Sequence, residues 1–336
     1  MKHLVFALAM VMSFAGWNAA SAQSNEIAPP ALVEAAKKEG RLTIYTVMDP
    51  ENELKLIREF NKRFPFIKVE MLRLPGGQLV TRVKAESGAG RLGADLIAFA
   101  EPEEAEQVED VYAAYSPPNA KDYPAAEKGS NVWPRAIGAW CIASNTALVQ
   151  DPPKSWRDLT KPEYKGRLGE VTILTGGSGW TRSMFQREVL GVEYWQALAN
   201  NNPRIYPSGV PMTDALIRGE ISVAAIVVNQ MLPKVRDGAP AQCVFGPEGV
   251  PAKSQMIGIT KTSASPNAAK LYLNWALSPE AQSFVVKEWF MFSALEGAPK
   301  PAGAEEAKLW FVDPNRSKEV RATWTNDWVK MFNVQR

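Results

Sequence analysis

The chain has 336 residues, 46% of them hydrophobic and 22% charged, with 38 basic side chains against 36 acidic. That composition excludes a disordered, collagen-like or disulfide-dense chain, and it supplies a sizeable core at about 150 residues per domain, hence about two domains. A net charge of +2 leaves no electrostatic case for nucleic-acid binding or for a polybasic membrane surface.

The only histidine is His3. Lys2 and His3 form a short polar start, residues 4–17 are a nearly unbroken apolar run, and Ala20-Ser21-Ala22 offers the small residues a signal peptidase accepts. Residues 1–22 read as a secretory signal peptide, with Gln23 as the new N-terminus. The alternative is a membrane anchor, but the run falls short of the ~20 residues a span needs. The expected product is periplasmic and carries no histidine. In that oxidising compartment Cys141 and Cys243, both in short apolar runs, read either as a disulfide or as two separate buried thiols.

Residues 32–39 are expected to be a helix stopped by Gly40, followed by a β-branched strand at 42–47. Residues 52–64 have helical periodicity, with Leu54, Ile57 and Phe60 on one face, until Pro65 breaks it. A strand at 67–72, a helix at 78–86 and a strand at 95–99 complete a β-α-β-α-β alternation, which implies a parallel sheet with helices on its faces. A strand is expected at 137–144 and, beyond the proline-rich stretch around Trp156, a strand at 171–174, helices at 180–190, 194–200 and 213–218, and a buried strand at 221–228. The remainder reads as a strand at 256–259 and helices at 266–277, 279–289 and 316–332. No internal repeat is present. The fold class is α/β.

Gly88-Ala89-Gly90-Arg91-Leu92-Gly93 matches the spacing of a dinucleotide fingerprint, but a helix precedes it and a strand follows. That order is the reverse of what pyrophosphate binding needs. Gly177-Ser178-Gly179 lacks the second spacing of a nucleophile elbow, because position 180 is Trp. With no histidine after the leader, imidazole bases and His-based metal sites are absent, so no catalytic residue, no metal ligand and no cofactor is assigned.

The glycine-rich turn at 175–179 has a better use. It joins a strand to a helix, so its N–H groups with the Ser178 and Thr181 hydroxyls can cradle a carboxylate or phosphate. A plain helix cap is the bland alternative. Other strand ends offer partners: Thr46 and Asp49, Glu101, and the pair Asn229-Gln230. Ligands collect beyond the carboxyl ends of strands in open α/β sheets. Asp49 and Glu101 also read as helix N-caps, and Asn229-Gln230 as a turn. The acidic run of Glu101, Glu103, Glu104, Glu106, Glu109 and Asp110 is expected to be a solvated helix face. Trp310, Trp324 and Trp328 read as packing residues.

Three stretches carry a family resemblance: Ser155-Trp156 through Tyr164-Lys165-Gly166, the pair Gly219-Glu220, and Ser265-Pro266-Asn267-Ala268-Ala269-Lys270 through Ser278-Pro279-Glu280-Ala281-Gln282. In these the chain resembles periplasmic solute-binding proteins of ABC importers, in the branch that contains the ferric-ion-binding proteins. The resemblance implies a type II two-lobed fold with hinge closure, lobe one being 26–137 plus 250–336 and lobe two 138–249. It further implies an anion-binding helix start at Ser178 and Thr181 and a cleft position for Ser208. Ferric-binding members carry two consecutive tyrosines after an Asn-x pair, where this chain has Met231 and Leu232. Tyr45, Tyr194 and Tyr206 do not fit that motif. The expected function is therefore capture of a small organic anion on Gly177, Ser178, Gly179 and Thr181, with Asn229, Gln230 and Thr46 as hydrogen-bond partners. Trp180 stacks on the ligand or covers the cleft. The ligand passes to an inner-membrane permease and its ATPase, and the chain acts as a monomer without bond chemistry. Ferric iron or an iron chelate is the alternative, and an exported hydrolase a second.

Overall fold

A computed structural model describes residues 27–123, 131–174 and 178–334. The expected leader at 1–22 lies outside the described residues, as do Gly177 and the Ser178 side chain. The chain opens with α1 (Pro30–Glu39), β1 (Arg41–Thr46), α2 (Pro50–Arg63), β2 (Lys68–Arg73), α3 (Gly76–Gly88), β3 (Leu96–Phe99) and α4 (Pro102–Glu106). Then come β4 (Trp133–Asn145), β5 (Leu168–Val171), α5 (Ser178–Leu190), α6 (Val192–Asn200), β6 (Arg204–Tyr206), α7 (Gly209–Ile217), β7 (Val223–Val227), α8 (Val228–Arg236) and β8 (Ala241–Val244). The last stretch holds β9 (Val250–Ile259), α9 (Pro266–Ala276), α10 (Pro279–Glu288), β10 (Leu309–Phe311) and α11 (Pro314–Met331). The α/β class expected from the alternation is the architecture found.

All the described strands join one path, β2-β1-β3-β9-β4-β7-β5-β6, with β10 beside β9 and β8 beside β4. β2, β1 and β3 are parallel, and so are β6, β5 and β7. Two long antiparallel strands lie between these triplets. β4 pairs with β9 over its first part, ending at Ala139↔Ala252. From Trp140 it changes partner and pairs with β7 and then with β8. The sheet therefore has two halves, and β4 crosses from one to the other. Every residue of β4 is buried, as a strand flanked on both faces requires.

One apolar cluster runs through both halves, a second packs around α5 and α6, and each half has its own buried ion pair. In the first half, Phe60 of α2 packs on Tyr272 and Trp275 of α9 at 4.9 and 5.3 Å between ring centroids. The inner face of α2 departs from the expected one: Leu54 is 42% exposed, whereas Glu53 and Leu56 are buried with Ile57 and Phe60. The cause is Arg135 of β4, fully buried, whose guanidinium holds the Glu53 carboxylate at 2.6 and 2.8 Å. In the second half, Arg182 of α5 meets Glu170 of β5 at 2.6 Å, both buried. That pair explains why β5 begins at Leu168 instead of 171: a charged residue hides inside the strand.

Polar sequence conceals other elements. β9 starts at Val250 although only 256–259 reads as strand, and β6, α8 and β10 have no clear signature. α8 carries Pro233 within it. The region expected as the tail of lobe one divides in space: α9 and α10 stay with the first half, β10 pairs with β9 while its Trp310 packs on Phe185 of α5, and Val320, Trp324 and Trp328 of α11 pack in the core built by α5 and α6. The acidic run is only partly solvated, since Glu101 is 9% exposed and the run breaks into α4 and a 3-10 turn at Glu109–Val111.

The two cysteines are bonded to each other, with Cα atoms 5.5 Å apart and 102 positions between them in sequence. The bridge ties β4 to β8. Closing a loop of that length restricts the unfolded chain strongly. Replacing both residues (Cys141→Ala with Cys243→Ala) is expected to lower the unfolding free energy by roughly 2–5 kcal/mol. Urea denaturation under non-reducing conditions measures it, and a loss below ~1 kcal/mol would show that strain in the bridge offsets its entropic effect.

Candidate ligand-binding site

The parallel strands β6, β5 and β7 are neighbours and point the same way, and each is followed by a helix. The starts of α5, α7 and α8 therefore gather along one edge of the sheet. α7 and α8 begin without a side-chain cap: Ser208 and Val227 stand at their N-cap positions and neither caps the helix through its side chain. First-turn N–H groups left in this state, with the dipoles of the helices behind them, favour negative charge.

Close backbone approach builds this edge. A Cβ on Gly179 would lie 2.4 Å from the Thr172 carbonyl oxygen, so glycine lets the first turn of α5 settle on the end of its own strand. A Cβ on Gly209 would lie 2.3 Å from Oε1 of Gln230, so the start of α7 makes room for the first turn of α8. Oδ1 of Asn229 and Oε1 of Gln230 are buried acceptors with no hydrogen-bond partner among the described residues. Arg182, one residue after Thr181, locks this turn down through Glu170 and through its 2.8 Å bond to the Val171 carbonyl.

A cavity of about 390 Å³ lies where the crossing strands meet α5 and α11. Its wall includes Glu101, Ile137, Thr181, Lys253, Ser254 and Phe311. Thr181 is 4% exposed. Lys253 of β9 donates a hydrogen bond to Glu101, and its ammonium lies 5.8 Å from the centroid of the Trp140 ring. Burial pushes the Glu101 carboxyl up from its ordinary value, against the opposing charge of Lys253. Its neighbour Glu104 is raised to about 7, mainly by burial and then by Glu101.

The expected site residues are distributed unevenly. Glu101 and Thr181 line the same cavity, and Ser208, Gly209 and Gln230 meet at the α7–α8 corner. Thr46 is not brought to the cavity: it is fully buried, and its hydroxyl donates to Oε2 of Glu53 in the interior. Asp49 caps α2 by accepting from the Asn52 N–H at 3.1 Å. Trp180 is turned into α11, its indole N–H donating to Ser317 at 2.8 Å and the Arg321 guanidinium covering its ring at 4.8 Å. Tyr194 is spent in the core on the Trp156 carbonyl. Sequence reasoning missed Lys253 and Ser254, which sit in the polar stretch Lys253-Ser254-Gln255 of β9, where no motif marks them.

Residues 49–283 match the model of the bacterial extracellular solute-binding protein family, and the chain belongs to that family. It is 25% identical over 232 residues, 62% of each chain, to a probable ABC transporter periplasmic-binding protein of Sinorhizobium fredii. Among solved structures it resembles the periplasmic binding protein AfuA of Actinobacillus pleuropneumoniae with fructose-6-phosphate bound, at TM-score 0.70 and 22% identity, covering 88% of this chain and 99% of that one. It also resembles iron-bound HitA of Pseudomonas aeruginosa at TM-score 0.67 and 19% identity, covering 87% and 98%. The fold is that of a type II periplasmic binding protein, and the chain is the substrate-binding component of an ABC transporter. Members of this group bind small molecules for a membrane permease.

The raised carboxyl of Glu104 has a consequence for stability. Its proton is held more tightly in the folded chain than in the unfolded one, so the native state binds more protons between about pH 4.5 and 7. Stability through this group therefore falls as pH rises across that window, and the penalty is complete above it. Glu104→Gln is expected to raise the melting temperature at pH 8 and to leave it nearly unchanged at pH 4.5. Thermal melts of both proteins across the range decide it; a gain at acid pH alone would contradict the assignment.

Proposed function

We propose that the captured ligand is a small organic anion, a phosphorylated, phosphonate or carboxylate compound, held between the two halves of the sheet. The observation that carries this reading is the alignment of three helix starts beyond adjacent parallel strands, two of them uncapped by side chains. Amide donors at such an edge bind a carboxylate or phosphate without needing a full counter-charge. Thr181, Asn229 and Gln230 supply further polar contacts, and the apolar cavity wall at Ile137 and Phe311 excludes water from the remainder of the ligand.

In this reading the halves act as two lobes that divide near residues 138 and 250, with α11 packed on the second. The chain is exported through the leader at 1–22, works as a monomer, makes and breaks no bond, and hands its cargo to an inner-membrane permease with its ATPase. The likeness to AfuA puts sugar phosphates first among the candidate ligands. Ferric iron is the competing cargo, favoured by the likeness to HitA. Against it, Met231 is fully buried and Leu232 follows it, so neither offers an anionic oxygen. No group of three or more Cys, His, Asp or Glu side chains among the described residues is arranged to hold a metal ion.

Ligand-stripped protein tested by thermal shift against fructose 6-phosphate, inorganic phosphate and citrate is expected to gain stability with at least one of them, because a ligand that binds the native state raises its melting point by mass action. Thr181→Ala should weaken that ligand by roughly three- to tenfold, the size of one lost hydrogen bond. Stoichiometric iron in the protein as purified, with a visible charge-transfer band, would overturn the reading. Release of product from any of the tested compounds would return the enzyme class.

A further inference from the structure

The ion pair between Glu101 and Lys253 stands in the cavity wall, not in the core. Its members come from neighbouring strands: Glu101 follows β3, and Lys253 lies on β9, the antiparallel partner of β3. Both side chains are nearly enclosed, at 11% and 12% exposure. An ammonium has three donors. One goes to Glu101, and the other two have no hydrogen-bond partner among the described residues. An enclosed ammonium held by a single carboxylate is incompletely satisfied, a costly state for a pair whose only task is stability.

Other polar groups line the same cavity. Thr181 lies on the same cavity wall, 96% buried, and brings a hydroxyl to it. Glu103 also lines the cavity and Glu104 lies within electrostatic reach of Glu101, so the wall holds more carboxylate than ammonium. The Trp140 ring gives the lysine a second resting face at 5.8 Å. Lys253 is thus free to exchange its partner without losing every favourable contact.

We propose that Glu101 is an internal stand-in for the ligand's acidic group: an incoming phosphate or carboxylate takes Lys253 from it, and Lys253 is the cation that selects anionic cargo. The inference rests on the anion reading above and adds a residue to it. In the ligand-free protein the carboxylate keeps the lysine charge from being stranded. On binding, the anion accepts the spare ammonium donors and the Thr181 hydroxyl together. The pair thereby sets affinity through competition: a stronger hold by Glu101 means weaker capture.

The test uses the full mature chain and three probes: inorganic phosphate, fructose 6-phosphate and citrate. Affinity for whichever probe stabilises the wild type is measured by titration calorimetry at constant ionic strength. Glu101→Gln removes the competitor and should tighten binding by roughly three- to tenfold, while Lys253→Met should weaken it by about tenfold or more. Because Lys253→Met strands Glu101, the double variant is included: it should recover melting temperature relative to Lys253→Met without recovering affinity. Wild-type affinity in both single variants would make the pair structural, overturning this inference while leaving the anion reading in place. Weaker binding by Glu101→Gln would make the carboxylate a ligand contact and also overturn it. Failure of all three probes to bind the wild type would sink this inference and the anion reading together.

Discussion

The fold depends on the antiparallel contact between β4 and β9. Each takes part in more than one pairing, and together they link the two triplets, β9 lying beside β3 and β4 beside β7. β9 pairs with β3 at one end and β10 at the other; β4 leaves β9 at Ala139 and joins β7 at Trp140. Neither strand can shift register alone, because a one-residue slip would turn every inward side chain of a fully buried strand to the opposite face. The site inherits this rigidity, since Ile137, Lys253 and Ser254 reach the cavity from these same two strands.

Around that contact, two buried arginine–glutamate pairs do the local positioning. Arg135 and Glu53 fasten α2 to the root of β4, with the Thr46 hydroxyl donating to Glu53 and the Gln282 amide donating to the Arg135 carbonyl. Arg182 and Glu170 fasten the first turn of α5 to β5. Removing one partner of such a pair leaves a desolvated charge, so each is a constraint on geometry more than a net source of stability. The second pair lies beside the proposed anion seat and fixes the direction in which the α5 amides point.

How much of this was legible in sequence follows from which interactions are local. The first three strands and their helices were readable because β-branched runs alternate with helical periodicity, and proline starts such as Pro50, Pro266 and Pro279 mark the helix boundaries. The strand-end logic brought Glu101, Thr181, Asn229 and Gln230 into view, since chain direction alone decides which loops share an edge. Contacts between distant segments were not readable. Glu170 hides in β5 because Arg182 neutralises it, and Thr46 sinks inward because its hydroxyl donates to Glu53 and accepts from the Met48 N–H. Lys253 carries no motif at all; its partner lies 152 positions away. α8 was obscured by Pro233 and by the polar pair that opens it.

The disulfide bears on mechanics as well as on folding. Cys141 lies just past the point where β4 changes partners, and its bond to Cys243 clamps everything from there onward to β8. The strand is thus stiff on one side of that point and held only by backbone ladders on the other. Oxidation of the two thiols thereby fastens the far end of β4 to β8 with a covalent link that forms independently of any ligand.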